Sequence, residues 1–396
     1  MSRYLGFLFA LVLFASIPSN RADSDVAPNP MTGGWPISPY EDGSTDVRMV
    51  EEDVIVRIYA DSIVTVGSFS MRNEGETVTM EVGFPFFYQN DPIRFRVFVD
   101  GRPIKVRDGQ KEDSDPAGRK RWTIYWKLWD MTFPRGETCA IRVEYKTKPL
   151  ESIFFRRGEY ASLPADALDS LQQATTIGTV EYTLETGKQW KGILDRCRVS
   201  FELIRMSDAN VKDHWPEDGV VTRDGVVWEY TDYEPSRHTT LTYSPYVPVQ
   251  KIPEVLRSIL ERFPDDPMLA DDTGRFCDAL GRRDLQHEIY HSFLARWDEP
   301  IPQLMEYAPG GRCRFNYQAG NHFYTVWRMA AVLFDEYRKA GEFERGRDIA
   351  PTVSRISGAI VDSLDTCGGL PASSESLVRR AKELLELSNE LIKANE

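Results

Sequence analysis

This 396-residue sequence contains few histidines and cysteines, and it has fewer positive than negative charges. The formal net charge is -13, and because such a surface repels phosphate backbones, nucleic-acid binding is not expected. After the N-terminus no stretch approaches the roughly 20 apolar residues that cross a bilayer, so no membrane span is expected once a leader is removed. Glycine-rich phosphate loops and Gly-x-Ser-x-Gly are absent, which leaves nucleotide and serine-hydrolase functions without support.

The five cysteines include no Cys-x-x-Cys pair, and their number is odd. Cys139 and Cys197 each begin a run of apolar residues at strand spacing, so both are predicted to point into one β core. There they form either a disulfide or two buried thiols, and we favour the thiols. A Cys277–Cys313 disulfide is a further possibility that the sequence does not decide.

The N-terminus begins with Arg3, continues through the apolar run 5–15 and breaks at Pro18. A basic start, a short apolar run and a helix-breaking end are typical of a secretory signal peptide, here residues 1–22. We therefore predict an extracytoplasmic protein, either secreted or periplasmic. Residues 23–45 are rich in Pro, Gly, Asp and Ser and are predicted to form an extended lead-in.

Apolar and polar residues alternate through the next 200 or so positions, a period that predicts antiparallel strands with one buried face. Asp-Gly dipeptides at 100–101 and 224–225 lie between such runs and predict two hairpins. We assign a β-sandwich unit to residues 46–150 and a second β unit to residues 151–248, with a short helix where they join. One large, elaborated sandwich is the alternative.

Apolar residues recur at helical spacing in the remainder of the chain, so residues 249–396 are predicted to form an all-α domain. The fold class is therefore α+β, with an N-terminal antiparallel β-sandwich region followed by a C-terminal all-α domain. A helix that ends at Pro264 and an apolar helix over 322–339 are its clearest elements. Asp271 and Asp272 lack the spacing of a calcium loop and are interpreted as helix-end charges.

The β half also contains a set of short sequences that occur together. They include Ala27-Pro28-Asn29-Pro30, Val47-Arg48-Met49-Val50-Glu51-Glu52, Trp129-Asp130-Met131-Thr132 and Thr186-Gly187-Lys188-Gln189-Trp190-Lys191-Gly192. In these pieces the β half resembles an uncharacterised family of exported bacterial proteins, a domain of unknown function with a Thr-Gly-x-x-Trp-Lys-Gly motif. The resemblance implies a secreted or periplasmic β protein and supplies no catalytic residues.

Three tryptophans, Trp122, Trp126 and Trp129, raise the question of a stacking face for a carbohydrate or a peptide. Trp122 and Trp126 alternate with Ile124 and Leu128 at the spacing of an ordinary buried strand face. We favour the buried face.

His287-Glu288-Ile289-Tyr290-His291 is the one catalytic pattern in the sequence. Its spacing places two imidazoles one helical turn apart, where both can bind one Zn²⁺ while Glu288 acts as general base on the metal-bound water. The pattern resembles that of the zinc metallopeptidases, although Tyr290 stands where a small residue is usual. An ordinary surface helix with two solvated histidines is the alternative.

No motif supplies a third zinc ligand. We choose His322, because it is the only other histidine in the helical half and begins the apolar helix. Glu306 and Glu336 are the other candidates. Zinc belongs only to this alternative, and no cofactor is expected otherwise.

Taken together, these patterns favour a non-enzymatic binding or scaffolding protein of the cell envelope. It would act through its β half on a protein, peptide or glycan ligand that the sequence does not identify. The alternative is a zinc-dependent metallopeptidase with Glu288 as base and His287, His291 and His322 as zinc ligands.

Overall fold

A computed structural model gives the structure of the chain. The residues that it describes are 23–24, 27–28, 45–87, 92–114, 120–155, 160, 162–184, 190–234, 238–298, 305–308, 312–315, 317–365 and 375–393. The predicted signal peptide and most of the predicted lead-in lie outside these ranges. The chain divides into two compact units, a β unit of residues 1–158 and 172–252 and a helical unit of residues 159–171 and 253–396. This division confirms the predicted α+β class.

The β unit consists of three sheets. Its strands are β1 (Asp23–Ser24), β2 (Ala27–Pro28), β3 (Val47–Ile58), β4 (Ile63–Asn73), β5 (Val78–Phe87), β6 (Ile93–Val99), β7 (Arg102–Ile104), β8 (Arg107–Ser114), β9 (Lys120–Phe133), β10 (Thr138–Thr147), β11 (Leu150–Ile153), β12 (Thr176–Thr183), β13 (Leu194–Leu203), β14 (Val211–Trp215), β15 (Val220–Thr222), β16 (Gly225–Tyr233) and β17 (His238–Tyr243). An eight-stranded sheet has the order β15-β16-β13-β3-β4-β10-β6-β7. A five-stranded sheet has the order β1-β12-β17-β14 with β11 also beside β12, and a four-stranded sheet has the order β2-β5-β9-β8.

The helical unit contains a bundle of helices and one small hairpin. Its elements are α2 (Ile252–Arg262), α3 (Pro267–Ala279), α4 (Arg283–Leu294), β18 (Met305–Ala308), β19 (Arg312–Phe315), α5 (Tyr317–Ala340), α6 (Phe343–Asp365) and α7 (Glu375–Lys393). Helix α1 (Ala165–Thr175) begins in the segment 159–171 and ends in the β unit. It is the short helix expected where the two predicted β units join.

The two β units predicted for 46–150 and 151–248 share one sheet. Strand β13 pairs in parallel with β3, so that Val199 lies beside Val54, and it pairs on its other side with β16. One large sandwich, the alternative left open by the sequence, therefore describes the β unit. The division failed because a parallel neighbour far along the chain leaves no local signal.

Both predicted hairpins are present, and each turn needs its glycine. At the first, Asp100 and Gly101 have φ of 49° and 76°, which is the positive pair that a two-residue hairpin turn requires. At the second, Gly225 has φ of 152°, and a Cβ there would lie 1.8 Å from the carbonyl oxygen of Phe201. Only glycine fits such a position.

The inward faces of the sheets form one apolar core. Cys139 and Cys197 are both buried in it as free thiols, which confirms the predicted pair of thiols. Trp126 and Trp129 are buried as well, as the preferred interpretation requires, and the side chain of Trp122 lies outside the described residues. The described tryptophans of this strand therefore offer no stacking face.

The helical unit confirms the predicted helices and corrects three details. Helix α2 ends two residues before Pro264, and α5 includes the predicted helix 322–339. Strands β18 and β19 form a hairpin inside a region predicted to be wholly α. Cys277 is a free buried thiol, so the disulfide considered with Cys313 is not formed.

The third correction concerns Asp271, which is not a helix-end charge. It lies inside α3 with 1% of its surface exposed and forms an ion pair with Arg328 of α5. The Tyr290 hydroxyl also donates to its carboxylate, at 3.1 Å from Oδ1. A buried carboxylate needs such partners, and they come from helices that only the folded chain brings together.

Candidate functional site

Helix α4 carries the predicted His-Glu-x-x-His pattern. One side of the helix is buried and packs into the helical unit. Leu285, Ile289 and Phe293 are buried along that side. Tyr290, the departure from the metallopeptidase pattern, is also buried, and its ring lies where any side chain at Gly274 would be, with Cε1 2.2 Å from the ideal Cβ position. Its size is thus explained by the packing of α4 on α3.

The two histidines of the pattern lie on the same side of α4 and face Tyr337 of α5. The ring centroid of Tyr337 is 6.4 Å from that of His287 and 6.2 Å from that of His291, with the rings close to perpendicular. Both Nε2 atoms are buried and have no hydrogen-bond partner among the described residues. Burial lowers the pKa of His287, while the negative charge of Glu336 acts in the opposite direction.

Glu288 points to a different partner. Its carboxylate forms a bidentate ion pair with Arg257 of α2. Nε of Arg257 lies 3.0 Å from Oε1, and Nη2 lies 2.8 Å from Oε2. A general base needs a carboxylate free to take a proton from the metal-bound water. In this geometry Glu288 joins two helices.

His322, the preferred candidate for the third zinc ligand, lies far along α5 from Tyr337, the residue of that helix that faces the histidine pair. His322 and Tyr337 both lie on α5, and the 15 positions between them correspond to about 22 Å of helix axis. The side chains of His322 and of Glu306, which lies on β18, are outside the described residues. Among the described residues no group of three or more His, Cys, Asp or Glu is arranged to hold a metal ion. A zinc role for His322 therefore stays a prediction, and Glu336, next to Tyr337, is nearer to the pair.

A second candidate site is a depression on the outer face of the eight-stranded sheet, which sequence analysis did not single out. Its volume is about 680 Å³, and it is open to solvent. Small side chains, those of Ser68 and Ser70 on β4 and Ala140 on β10, form its floor. Larger ones from the neighbouring strands form its walls, namely Glu51 and Asp53 on β3, Arg142 and Glu144 on β10, and Phe98 on β6.

Register explains why these residues meet. Asp53 lies opposite Ser68, Ser68 opposite Arg142, and Arg142 opposite Phe98, so four adjacent strands contribute one continuous row. Alternation along each strand predicts that these side chains share a face, but not which of them are neighbours. This is the part of the site that the sequence conceals.

Most charges around the depression are already paired. Arg142 and Arg96 approach the carboxylate of Glu144 at 2.6 and 2.7 Å, and Arg198 lies 3.3 Å from Asp53. Glu51, by contrast, forms no ion pair with any described residue. The walls are therefore rich in hydrogen-bonding groups while carrying little unbalanced charge.

One buried acid of the β unit lies in the core beneath this sheet. A β-bulge between Met49 and Glu51 shifts the phase of β3, so that Glu52 points inward. Its carboxyl group accepts from the Tyr182 hydroxyl at 3.1 Å and lies 3.8 Å from the Cys197 thiol. Burial raises the pKa of Glu52 to about 8, against the lowering effect of these two contacts.

Comparison with known proteins adds little to this geometry. No family model and no curated protein matches the chain. A Legionella pneumophila protein provisionally described as nutrient binding is 13% identical with a TM-score of 0.42, over 78% of this chain and 98% of its own. An M1 zinc metallopeptidase from Deinococcus radiodurans is 10% identical with a TM-score of 0.26, over 88% and 94%. Similarities this remote carry no argument about function.

Within the described residues, no helix combines the length and the apolar character of a membrane span.

Proposed function

We propose that the protein is a non-enzymatic binding protein whose β unit holds a polar ligand in the depression on its eight-stranded sheet. The observation that carries this proposal is the shape of that face. Small residues form its floor, and larger side chains that can hydrogen-bond or stack form its walls. A few polar groups around a concave surface are the usual composition of a ligand site.

The balance of charge selects the ligand class. The carboxylates of Asp53 and Glu144 are paired with arginines, and Glu51 is the one lining carboxylate without an ion pair to a described residue, so neither a strongly anionic nor a strongly cationic ligand finds a large excess of opposite charge. Guanidinium groups and carboxylates together still present many donors and acceptors. Phe98 adds an apolar ring at one wall. A neutral ligand with many hydroxyl groups, as in a glycan, fits this combination best.

The test fills the floor of the depression. Ser68→Trp places a large ring between the walls, and because Ser68 is on the solvent side of β4, the sheet should still form. Arg72→Trp is the matched control, since Arg72 is an exposed residue of the same strand and face but lies outside the depression.

We expect the wild-type chain and the control to bind neutral oligosaccharides on a glycan array. Ser68→Trp should lose at least about tenfold in affinity by calorimetry. Equal binding by both variants, or no binding of any neutral glycan by the wild type, would refute the proposal. A peptide array run in parallel would show whether peptides are bound instead.

The extracytoplasmic location predicted from residues 1–22 belongs to the same proposal. Expression of the full chain in a bacterial host followed by fractionation tests it. We expect a shortened protein outside the cytoplasm, with a new N-terminus near residue 23. Full-length protein that stays in the cytoplasm would contradict this expectation.

A zinc peptidase, the alternative function, requires Glu288 to act as base. The ion pair of Glu288 with Arg257 holds this carboxylate in another role, so the geometry does not favour hydrolysis. The described residues offer no observation that favours it over binding, and it is not proposed.

A further inference from the structure

The two sides of the depression on the eight-stranded sheet differ in their chemistry. The side on β3 consists of Glu51 and Asp53, whereas the side on β10 and β6 consists of Arg142, Glu144 and Phe98. One side therefore presents only carboxylates, and the other presents a guanidinium group and an aromatic ring as well. A ligand that fits this difference must have two unlike ends.

Glu51 has the carboxylate with the fewest partners. It is exposed, and it forms no ion pair with any described residue. Arg196 of β13 lies opposite Glu51 in the parallel ladder, but the two side chains are not paired. On the other side of Glu51 lies Ser70, a small residue of the floor. The carboxylate of Glu51 is therefore open toward the depression.

The other two carboxylates of the lining are already engaged, although to different degrees. Both oxygens of Glu144 have a cation, Oε1 that of Arg142 and Oε2 that of Arg96. Asp53 has Oδ1 3.3 Å from Arg198, and its Oδ2 has no partner among the described residues. The unused acceptors of the depression therefore lie on the β3 side, and Glu51 has the one unpaired charge.

The distance between the two sides sets the size of the ligand. Strands β4 and β10 separate β3 from β6, so Glu51 and Phe98 are three strand spacings apart. At about 4.8 Å for each spacing, this distance is about 14 Å. One sugar ring is too short to touch both sides, whereas a short oligosaccharide reaches from one to the other. One of its rings can then pack on Phe98 while a group at its far end meets Glu51.

We propose that the ligand is a short oligosaccharide with one free amino group, which lies across the strands with its protonated amine on Glu51 and a sugar ring on Phe98. This inference rests on the proposed function of the same depression. An ammonium group donates charge-assisted hydrogen bonds, which are stronger than neutral ones. A single positive charge suits the site, because the other lining carboxylates are already paired with arginines.

The experiment compares two trisaccharides that differ in one group. The first has a terminal glucosamine, whose amine is protonated at mildly acidic pH, and the second has N-acetylglucosamine at the same place. We expect the purified full chain to bind the first about tenfold more tightly in calorimetry. Added salt should reduce this preference, because it screens an ion pair that is open to solvent.

Two substitutions of Glu51 test its role. Glu51→Gln keeps the size of the side chain and removes its charge, so it should bind both trisaccharides equally. Glu51→Lys should favour a third trisaccharide, with a terminal uronic acid, over the glucosamine ligand. A variant that failed to fold could not gain this binding. Glu202→Gln is the matched control, because Glu202 lies on the same face of the same sheet but outside the depression, and it should keep the wild-type preference.

The outcomes distinguish this inference from the function on which it rests. Equal binding of the glucosamine and N-acetylglucosamine ligands by the wild type would overturn the inference and leave the glycan site in place. A preference for the amine that survives in Glu51→Gln would overturn the role of Glu51. Failure of the wild type to bind any of the three trisaccharides would overturn both the inference and the glycan site.

Discussion

The β unit and the helical unit each bury a carboxyl group, and they accommodate it in different ways. In the helical unit Asp271 is paired with Arg328 and receives the Tyr290 hydroxyl. In the β unit Glu52 contacts a hydroxyl and a thiol and pairs with no cation among the described residues, and its raised pKa keeps it protonated at neutral pH. A buried acid can thus be paired or neutralised, and the two solutions respond differently to mutation and to pH.

The largest expected effect comes from breaking the paired acid. Asp271→Ala leaves the largely buried Arg328 without its carboxylate, and removing one partner of a buried pair costs roughly 3–5 kcal/mol. We expect the free energy of unfolding of the helical unit to fall by about that amount in urea, measured by circular dichroism at 222 nm. Asp284→Ala is the matched control, since Asp284 pairs with Arg282 at an exposed position and should leave stability close to wild type. Equal effects of the two substitutions would show that burial of the Asp271 pair is unimportant.

Glu52, the neutralised acid, should make the free energy of unfolding depend on pH. The pKa of Glu52 is about 8 in the folded chain and near its ordinary value when unfolded, so between pH 4.5 and 8 the folded state binds more protons. Stability therefore falls as pH rises through this window, by up to about 1.4 kcal/mol per pH unit from this group. Glu52→Gln removes the titration and keeps an acceptor for Tyr182. We expect the variant to gain on the wild type by about 3 kcal/mol near pH 7.

The measurement for Glu52 is urea unfolding at several pH values, followed by tryptophan fluorescence. Glu202→Gln, a partly exposed glutamate on β13 that pairs with Arg57, is a suitable control. Parallel pH profiles for wild type and Glu52→Gln would mean that Glu52 is ionised in the core, which contradicts the comparison.

A smaller effect is expected from the hydroxyl that supports the paired acid. Tyr290→Phe keeps the ring against Gly274 but removes the donor to Asp271, which remains paired with Arg328. A single hydrogen bond to a charged group contributes about 1.5–3 kcal/mol. Urea unfolding of the helical unit should show a loss near the lower end of this range. A loss as large as that of Asp271→Ala would show that Tyr290, and not Arg328, is the main partner.

The smallest effect concerns the exposed pair that holds Glu288. Glu288→Gln weakens its contact with Arg257, and exposed pairs are worth at most about 1 kcal/mol. Thermal unfolding should therefore change very little. A large loss of stability would mean that this pair is needed to hold α2 against α4.

Sequence patterns predicted the local features of both units. Alternation and the Asp-Gly dipeptides identified strands and hairpins, and helical spacing identified α2 and α5, because each signal lies within a few residues of chain. The two histidines were correctly placed on one helix face for the same reason. Their use as zinc ligands stays a prediction.

Features that depend on distant parts of the chain were missed. The bulge that turns Glu52 inward shifts the alternation of β3 by one residue, which looks like noise in the sequence. Arg328 reaches Asp271 from another helix, and Ser68 meets Arg142 only through sheet register. The depression depends on such contacts between residues of different strands, so no local sequence pattern could predict it.

Because β3 pairs in parallel with β13, one of its two partner strands is synthesised much later than β3 itself. Asp53 lies opposite Arg198, so β3 waits for a partner that is translated 145 residues later. At 5–20 residues per second the ribosome needs about 7–29 s to cover that distance. During this interval β3 can pair with β4 but has an open edge on its other side. Chains that end before β13 therefore carry a permanent open edge, which is a template for aggregation.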